Sequence, residues 1–540
     1  MTAPPSVPES SPGANRSRSF DEPVADPTAS SGHGRVGAPD LATRSALDGL
    51  RITVGSVGRR DGRAPDRQAT DPAAESGRGA GPGGVFGLET EYGITAEGMT
   101  AEEAARELFK PVVAWGRSTS VFTPAGARLY LDVGSHPEYA TAECSTLDEL
   151  LAAERAGDAL MAQLAAAASE RGGRAIAMFK NNTDSAGHAF GCHENYQIAR
   201  TGSAALAAQL IPFLVTRQLV AGAGKIQVDP KGVRYLLSQR AGHIDEALSS
   251  ATTRSRPMIN TRDEPHADGQ LYRRLHVIAG DSNMAEAAAR FKVGATSLVL
   301  RALALGLELP DLELANPVAA IREVAQGWRE AHPIALATGR TVKPAQVQWC
   351  YLEAAQAAAA EAGMTAPDRA VLELWERALT AWDRLDFDGL ETELDWLAKL
   401  RLIERYQERT GAALADPRVL RLELAYHQLG ADGLRPKLEA GGNLAHGIGQ
   451  LEIARAVTEP PPSTRAHLRG RFIAAARAAG REYTVDWVRL KLGRRRALTL
   501  LDPLDPADPA ARALIRQIES LSAAGVTGEL DAIMAAAGKE

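Results

Sequence analysis

The sequence predicts an α+β fold, and two observations predict it. Strand-type and helix-type runs alternate irregularly, without a repeating βαβα rhythm. Neither a Gly-x-Gly-x-x-Gly turn after a strand nor a Walker lysine motif is present, which argues against a doubly wound parallel sheet. Strand-type runs fall at 85–95, 127–133, 175–180 and 196–199. Helical periodicity covers 101–115, 147–171, 285–307, 344–362 and 370–409. Glycine and polar residues gather again at 432–449, ahead of a smaller unit and a helical tail. The expected organisation is a leader at 1–84, a catalytic unit at 85–430, a small C-terminal domain at 431–506 and a helical tail at 507–540.

Composition bounds the function. The 540 residues carry 61 Lys+Arg against 67 Asp+Glu, a net charge of −6. That leaves no excess of positive charge to neutralise phosphates, so no nucleic-acid partner is expected. No apolar run is long enough to span a bilayer, and no charged-then-apolar leader is seen, so no membrane and no secretion are expected. Three scattered cysteines, Cys144, Cys192 and Cys350, make neither a disulfide framework nor a zinc knuckle. A soluble, reducing, cytoplasmic setting is the expectation. The first 84 residues hold 10 prolines, 13 glycines and one aromatic, Phe20. Such a segment buries too little apolar surface to offset its ordering entropy, so disorder is expected and the chemistry should not need it.

The chemistry sits on strands, where side chains alternate faces. In Gly87-Leu88-Glu89-Thr90-Glu91-Tyr92-Gly93, Glu89 and Glu91 share a face. Two carboxylates there repel unless a cation such as Mg²⁺ lies between them, or unless the strand is a solvated edge. In Ala127–Val133, Arg128, Tyr130 and Asp132 share one face and Leu129, Leu131 and Val133 the other. Arg suits a nucleotide phosphate, and Asp132 could act as a general base. The segment that follows adds Glu138 and Glu143 as further oxygen donors. A third group is the loop Lys180-Asn181-Asn182-Thr183-Asp184-Ser185-Ala186-Gly187 and then Gly191-Cys192-His193-Glu194-Asn195-Tyr196, with His193 and Asn195 on one face. A fourth is arginine-rich: Arg254, Arg256, Arg262, Arg273 and Arg274, with His276. It suggests phosphates or an acidic substrate, the alternative being solvated surface arginines.

These residues carry a resemblance. The stretches GLETEYGI, ARLYLDVGSHPEYATAEC, FKNNTDSAGHAFGCHENY, PFLVTRQLVAGAGK, SSATTRSRPMINTRDEPHAD, YRRLHVIAGDSNM and TVDWVRLKL resemble the Pup ligase family, from about Gly87 to Asp502. That family shares its catalytic fold with glutamine synthetase and glutamate–cysteine ligase. The resemblance implies an antiparallel sheet forming an open cradle for ATP, helices on its back and a small C-terminal domain. It implies Mg²⁺ on Glu89, Tyr130 and Glu138, with Glu91 added by strand parity. It implies ATP contacts from Arg128, Thr141 and Trp487, and Asp132 as the base.

The implied reaction is ATP-dependent carboxylate–amine ligation. The partners are Pup, the small prokaryotic ubiquitin-like protein, and lysine-bearing targets, which the tag marks for proteasomal degradation. Pup's C-terminal glutamate becomes a γ-glutamyl phosphate, and a target lysine attacks it. Two alternatives accompany this expectation: the Pup deamidase and depupylase of the same family, and a non-catalytic Pup-binding regulator. The deamidase branch carries an extra loop between the glutamate and aspartate strands, and His-Ala-His-Pro-Glu in place of Gly-Ser-His-Pro-Glu. Here 36 residues separate Glu91 from Arg128, which leaves little room for that loop. Intact Glu89, Arg128, Tyr130, Asp132 and Glu138 argue against a non-catalytic protein.

Overall fold

The structure, a computed structural model, describes residues 84–539 apart from 133, 185–186, 201–202, 252–254, 328–331 and 522–527. The disorder expected of the leader, the apolar-face position of Val133 and the strand position of Arg254 therefore lie outside the described residues.

Twelve strands precede the helical half among the described residues. They are β1 (Phe86–Glu91), β2 (Gly93–Ala96), β3 (Ser120–Phe122), β4 (Arg128–Leu131), β5 (Pro137–Ala140), β6 (Ile176–Phe179), β7 (Cys192–Ala199), β8 (Lys225–Asp229), β9 (Gly232–Leu236), β10 (Glu246–Ser249), β11 (Pro257–Asn260) and β12 (Tyr272–Val277). Eight form one sheet in the order β10-β11-β12-β7-β1-β5-β4-β3. All of its pairings are antiparallel except β10 with β11, so the α+β class holds and one parallel pair sits at an edge.

Alternation gives the sheet two chemically distinct faces. Leu88, Tyr196, Leu275 and Val277 turn into one apolar core, with Phe213, Phe291, Trp375 and Trp396 from the helices behind. Tyr92, Leu129 and Tyr139 turn into a second, against Leu160, Leu164 and Phe109. The intervening residues of the same strands stay on the open face. Local chemistry fixes the helices that close these cores. Ala101–Gly116 and Leu147–Gly172 each start on a capping box, Thr100 with Glu103 and Thr146 with Glu149.

The expected helix over 370–409 is instead two, Ala366–Arg384 and Asp395–Thr410. Leu385 turns left-handed, at φ 52°, and the Asp386 N–H closes on Ala381 O at 3.0 Å. The break puts the Phe387 ring 5.0 Å from Trp382 and 5.1 Å from Trp396. Packing an aromatic between two indoles outweighs helix continuation, and Asp388-Gly389 supplies the turn.

Near the C-terminus a three-stranded sheet (Tyr483–Val485, Arg489–Leu492, Leu498–Thr499) packs on the helix Ala466–Ala478. The helix Pro509–Glu519 shares that core through Ala511, Ile515 and Ile518. Its neighbours on either side in sequence belong elsewhere. Ile453 packs against Leu151 and Ala289, while Leu530, Ile533 and Met534 join the core behind β4 and β5.

Candidate active site

Register brings five strands to one place on the open face. Glu89 lies opposite His193, and Glu91 opposite Glu138. Tyr130 lies opposite Glu138, Arg128 opposite Ala140, and His276 opposite Asn195. Glu89, Glu91, Arg128, Tyr130, Glu138, His193, Asn195 and His276 are therefore on the same surface.

Around Glu89, Asn195 Nδ2 donates at 3.0 Å, Arg274 lies at 3.4 Å, His193 Nδ1 at 3.4 Å and His276 Nε2 at 3.8 Å. Burial alone would raise the Glu89 carboxyl, but His193, His276 and Arg274 together hold it well below the usual carboxylate range. Burial likewise opposes ionisation of Glu91, and His136, His193 and Arg240 overcome it. His136 Nδ1 approaches Glu91 at 3.3 Å. Glu138 goes the other way: burial, then the charges of Glu89 and Glu91, push its carboxyl well up. Tyr130 donates its hydroxyl to Glu138, and the Arg128 guanidinium covers the Tyr130 ring at 4.2 Å.

Two groups on this face bring ligand atoms within 4.8 Å of one another: Glu91, Asp132 and Glu138, and Glu89, His193 and His276. The first is an all-oxygen set, the donor type Mg²⁺ prefers. Its crowded carboxylates, with Glu138 driven toward protonation, fit a site that a divalent cation completes. In the second, burial presses the His276 imidazole down to about 3. Its buried Nε2 has no hydrogen-bond partner.

The approach of β7 to Glu91 depends on Gly191. Its carbonyl accepts from the Glu91 N–H at 3.0 Å. A Cβ there would lie 2.3 Å from His193 Nε2 and 2.6 Å from Glu91 Oε1.

Beside these groups opens a pocket. Thr141, His266, Arg465, Trp487, Glu89 and Arg274 are among the residues that line it. Thr141 Oγ1 accepts from the Leu88 N–H at 3.1 Å, which fixes the β5 exit against β1. Trp487 arrives from the C-terminal unit, edge-on to Phe122 at 4.9 Å.

Some expected contributors go elsewhere. Glu143 is not an oxygen donor on this face: Arg465 and Arg469 take both its oxygens, and its carboxyl is held at about 2. Lys180 is buried between Glu154 and Asp158, at 2.9 and 3.0 Å, and Asn182 bonds Ser282 and Phe190, so these two side chains are scaffolding. Of the arginine group, Arg274 reaches Glu89, whereas Arg262 pairs with Glu264 and Arg273 with Asp263. Arg256 is exposed at the rim. Sequence reasoning missed His266 and Arg465 in the pocket wall and Arg240 behind Glu91; nothing local marks them, because each arrives by a long-range fold contact. His136 had a signal, its place between two carboxylate strands.

An open sheet bearing clustered carboxylates, with a pocket at its side, is a site suited to binding a divalent cation together with an anionic ligand. A family model described as Pup-ligase protein matches residues 84–491. A Pup–protein ligase of Xylanimonas cellulosilytica is 50% identical over 434 residues, covering 77% of this chain and 95% of that protein. One from Mycobacterium ulcerans is 48% identical over 446 residues, covering 80% and 98%. Among solved structures, the complex of Pup with its ligase PafA aligns with a TM-score of 0.77 at 40% identity, covering 81% of this chain and 91% of that one. PafA in complex with ADP aligns at 0.71 and 42%, covering 79% and 96%. The chain belongs to the Pup-ligase family.

Proposed function

We propose that this protein joins the C-terminal glutamate of Pup to lysines of other proteins, at the expense of ATP. The observation that carries the chemistry is the division among the three clustered carboxylates: Glu91 and Glu138 are buried, and Asp132 is exposed. Glu89, Glu91, Tyr130 and Glu138 would hold Mg²⁺, which supplies neutralising charge at the phosphates. Arg128, Thr141 and Trp487 would hold ATP. The γ-carboxylate of Pup's terminal glutamate attacks the γ-phosphorus, giving a γ-glutamyl phosphate and ADP. Arg128 offsets charge on the transferring group. The ε-amine of a target lysine then attacks the acyl carbon, Asp132 takes its proton, and phosphate leaves. Free lysine, with a pKa of about 10.4, is almost wholly protonated at neutral pH, so a base at the open rim is what the second step requires.

The deamidase reading is weaker. The interval between Glu91 and Arg128 is filled by β2, the helix Ala101–Gly116 and β3, leaving only short connections. We further propose that residues 85–430 act as the catalytic unit, that the C-terminal core of 466–519 supplies Trp487, and that the setting is cytoplasmic. No helix among the described residues is long and apolar enough to cross a membrane. The test is to mix the protein with ATP, Mg²⁺, Pup ending in glutamate and a lysine-bearing target. An intact-mass gain of one Pup less one water supports the proposal. Release of Pup from a pre-made conjugate, with no new adduct, would overturn it.

A further inference from the structure

Glu143 lies two residues beyond Thr141 and lines the same pocket. Its side chain is 12% exposed, and its partners come from a distant part of the chain. Arg465 Nε donates to Glu143 Oε1 at 2.9 Å, and Arg469 donates to both carboxylate oxygens. The Thr464 hydroxyl donates to the Glu143 carbonyl at 2.8 Å.

Each arginine then holds a different piece of the pocket. Arg465 donates to His266 O at 2.5 Å and to Leu500 O at 2.8 Å. Arg469 donates to Trp487 O at 3.0 Å and to Gly126 O, in the turn before β4, at 2.8 Å. Its guanidinium also lies 5.0 Å from the Trp487 ring and 5.4 Å from Phe122. Three pocket-lining segments thus meet at one carboxylate, the β5 exit, the 265–267 loop and the C-terminal unit, and Arg469 ties the β3–β4 turn to them.

We propose that Glu143, through Arg465 and Arg469, is the positioning residue for nucleotide binding, setting the distance between the Trp487 and His266 wall and the sheet. It touches no reacting atom, so its effect belongs to nucleotide affinity rather than to turnover. Removing its charge leaves two buried guanidiniums competing for carbonyls, and the wall loses its fixed place while the carboxylate cluster around Glu91 keeps its own. This inference rests on reading the pocket as the ATP site.

The test compares Glu143→Gln, Arg465→Gln and Trp487→Ala with the parent chain, by calorimetry of ADP binding and by ligation kinetics at varied ATP. For both Glu143→Gln and Arg465→Gln the expected result is a roughly tenfold rise in the KM for ATP and in the Kd for ADP, with kcat at saturating ATP within about twofold, the scale on which outer partners act at a built site. Glu143→Asp should recover part of the loss. Circular dichroism and melting check that each variant is folded, and Arg465→Gln, which keeps one arm of the arrangement, serves if Glu143→Gln is not. Unchanged nucleotide affinity in a folded variant, or a fall in kcat at unchanged KM, would overturn the inference. Normal ADP binding by Trp487→Ala would overturn the reading of the pocket itself. Loss in Trp487→Ala with none in the other two removes the positioning role and leaves the pocket standing.

Discussion

Asp132 and Glu138 stand within one carboxylate group, yet their surroundings give them opposite work. Glu138 is 2% exposed and faces two other glutamates. Asp132 sits just past the end of β4, exposed, with its N–H on His136 O at 2.9 Å. An exposed carboxylate can meet an incoming amine, whereas a buried one suits a bound cation. Asp132→Asn should therefore bind Mg·ATP as the parent does and lose about 10²–10⁴-fold in ligation rate, the usual worth of a general base. Near-full ligation in that variant would take Asp132 out of the mechanism. Glu138→Ala should weaken Mg·ATP binding by about tenfold or more and reduce ligation with it, since the phosphates lose neutralisation. Calorimetry showing normal Mg·ATP affinity would make Glu138 structural. Parity along β1 and β4 made the shared face legible at this scale. Parity could not show which carboxylate pairs with an arginine: Glu143 and Glu138 look alike in sequence, and only the arrival of Arg465 and Arg469 separates them.

Among the elements, helices were more legible than strands: 101–115, 147–171, 285–307 and 344–362 fall within three residues of observed helices, whereas the single run at 85–95 is two strands, β1 and β2, in different sheets. A helix's 3.6-residue periodicity survives without tertiary information, whereas strand pairing does not show in one run. The break in the helix over 370–409 did not show either, because it is driven by the Phe387–Trp382–Trp396 cluster, which local periodicity does not contain. Leu385 holds a left-handed conformation there and is 54% exposed, so its side chain returns little packing for the backbone strain. A left-handed non-glycine residue costs about 1–2 kcal/mol, and glycine gives back about 0.5–1 kcal/mol through the unfolded chain. Leu385→Gly should thus stabilise the protein by about 0.5 kcal/mol or more in urea denaturation. A loss of stability would show that the Leu385 side chain contributes more packing than its exposure suggests.

Across the molecule, the pocket at the side of the sheet forms where the C-terminal unit meets the sheet, and Glu143 ties the two. Burial works against its charge, but Arg469 and Arg465 hold its carboxyl at about 2, against 4.5 in the unfolded chain. A depressed carboxylate stabilises the fold fully above its unfolded value and loses that contribution as pH falls from about 4.5 toward about 2. The shift corresponds to about 3 kcal/mol. Unfolding free energies measured between pH 6 and pH 3 should fall less steeply for Glu143→Gln than for the parent. Equal slopes would mean that Glu143 titrates normally in the folded protein.

By itself the sequence determined the chemistry of each strand face and the family to which those strands belong. Side-chain alternation is a local property, and the motif blocks are contiguous. The tertiary structure alone decided which strands lie side by side, and so that Glu91 meets Glu138 and Glu89 meets His193 and His276. It also decided that Trp487, Arg465 and His266 close one pocket with Thr141. Such contacts join residues hundreds of positions apart, and their free energy comes from burying apolar area and pairing charges across the whole fold, which no local window of sequence contains.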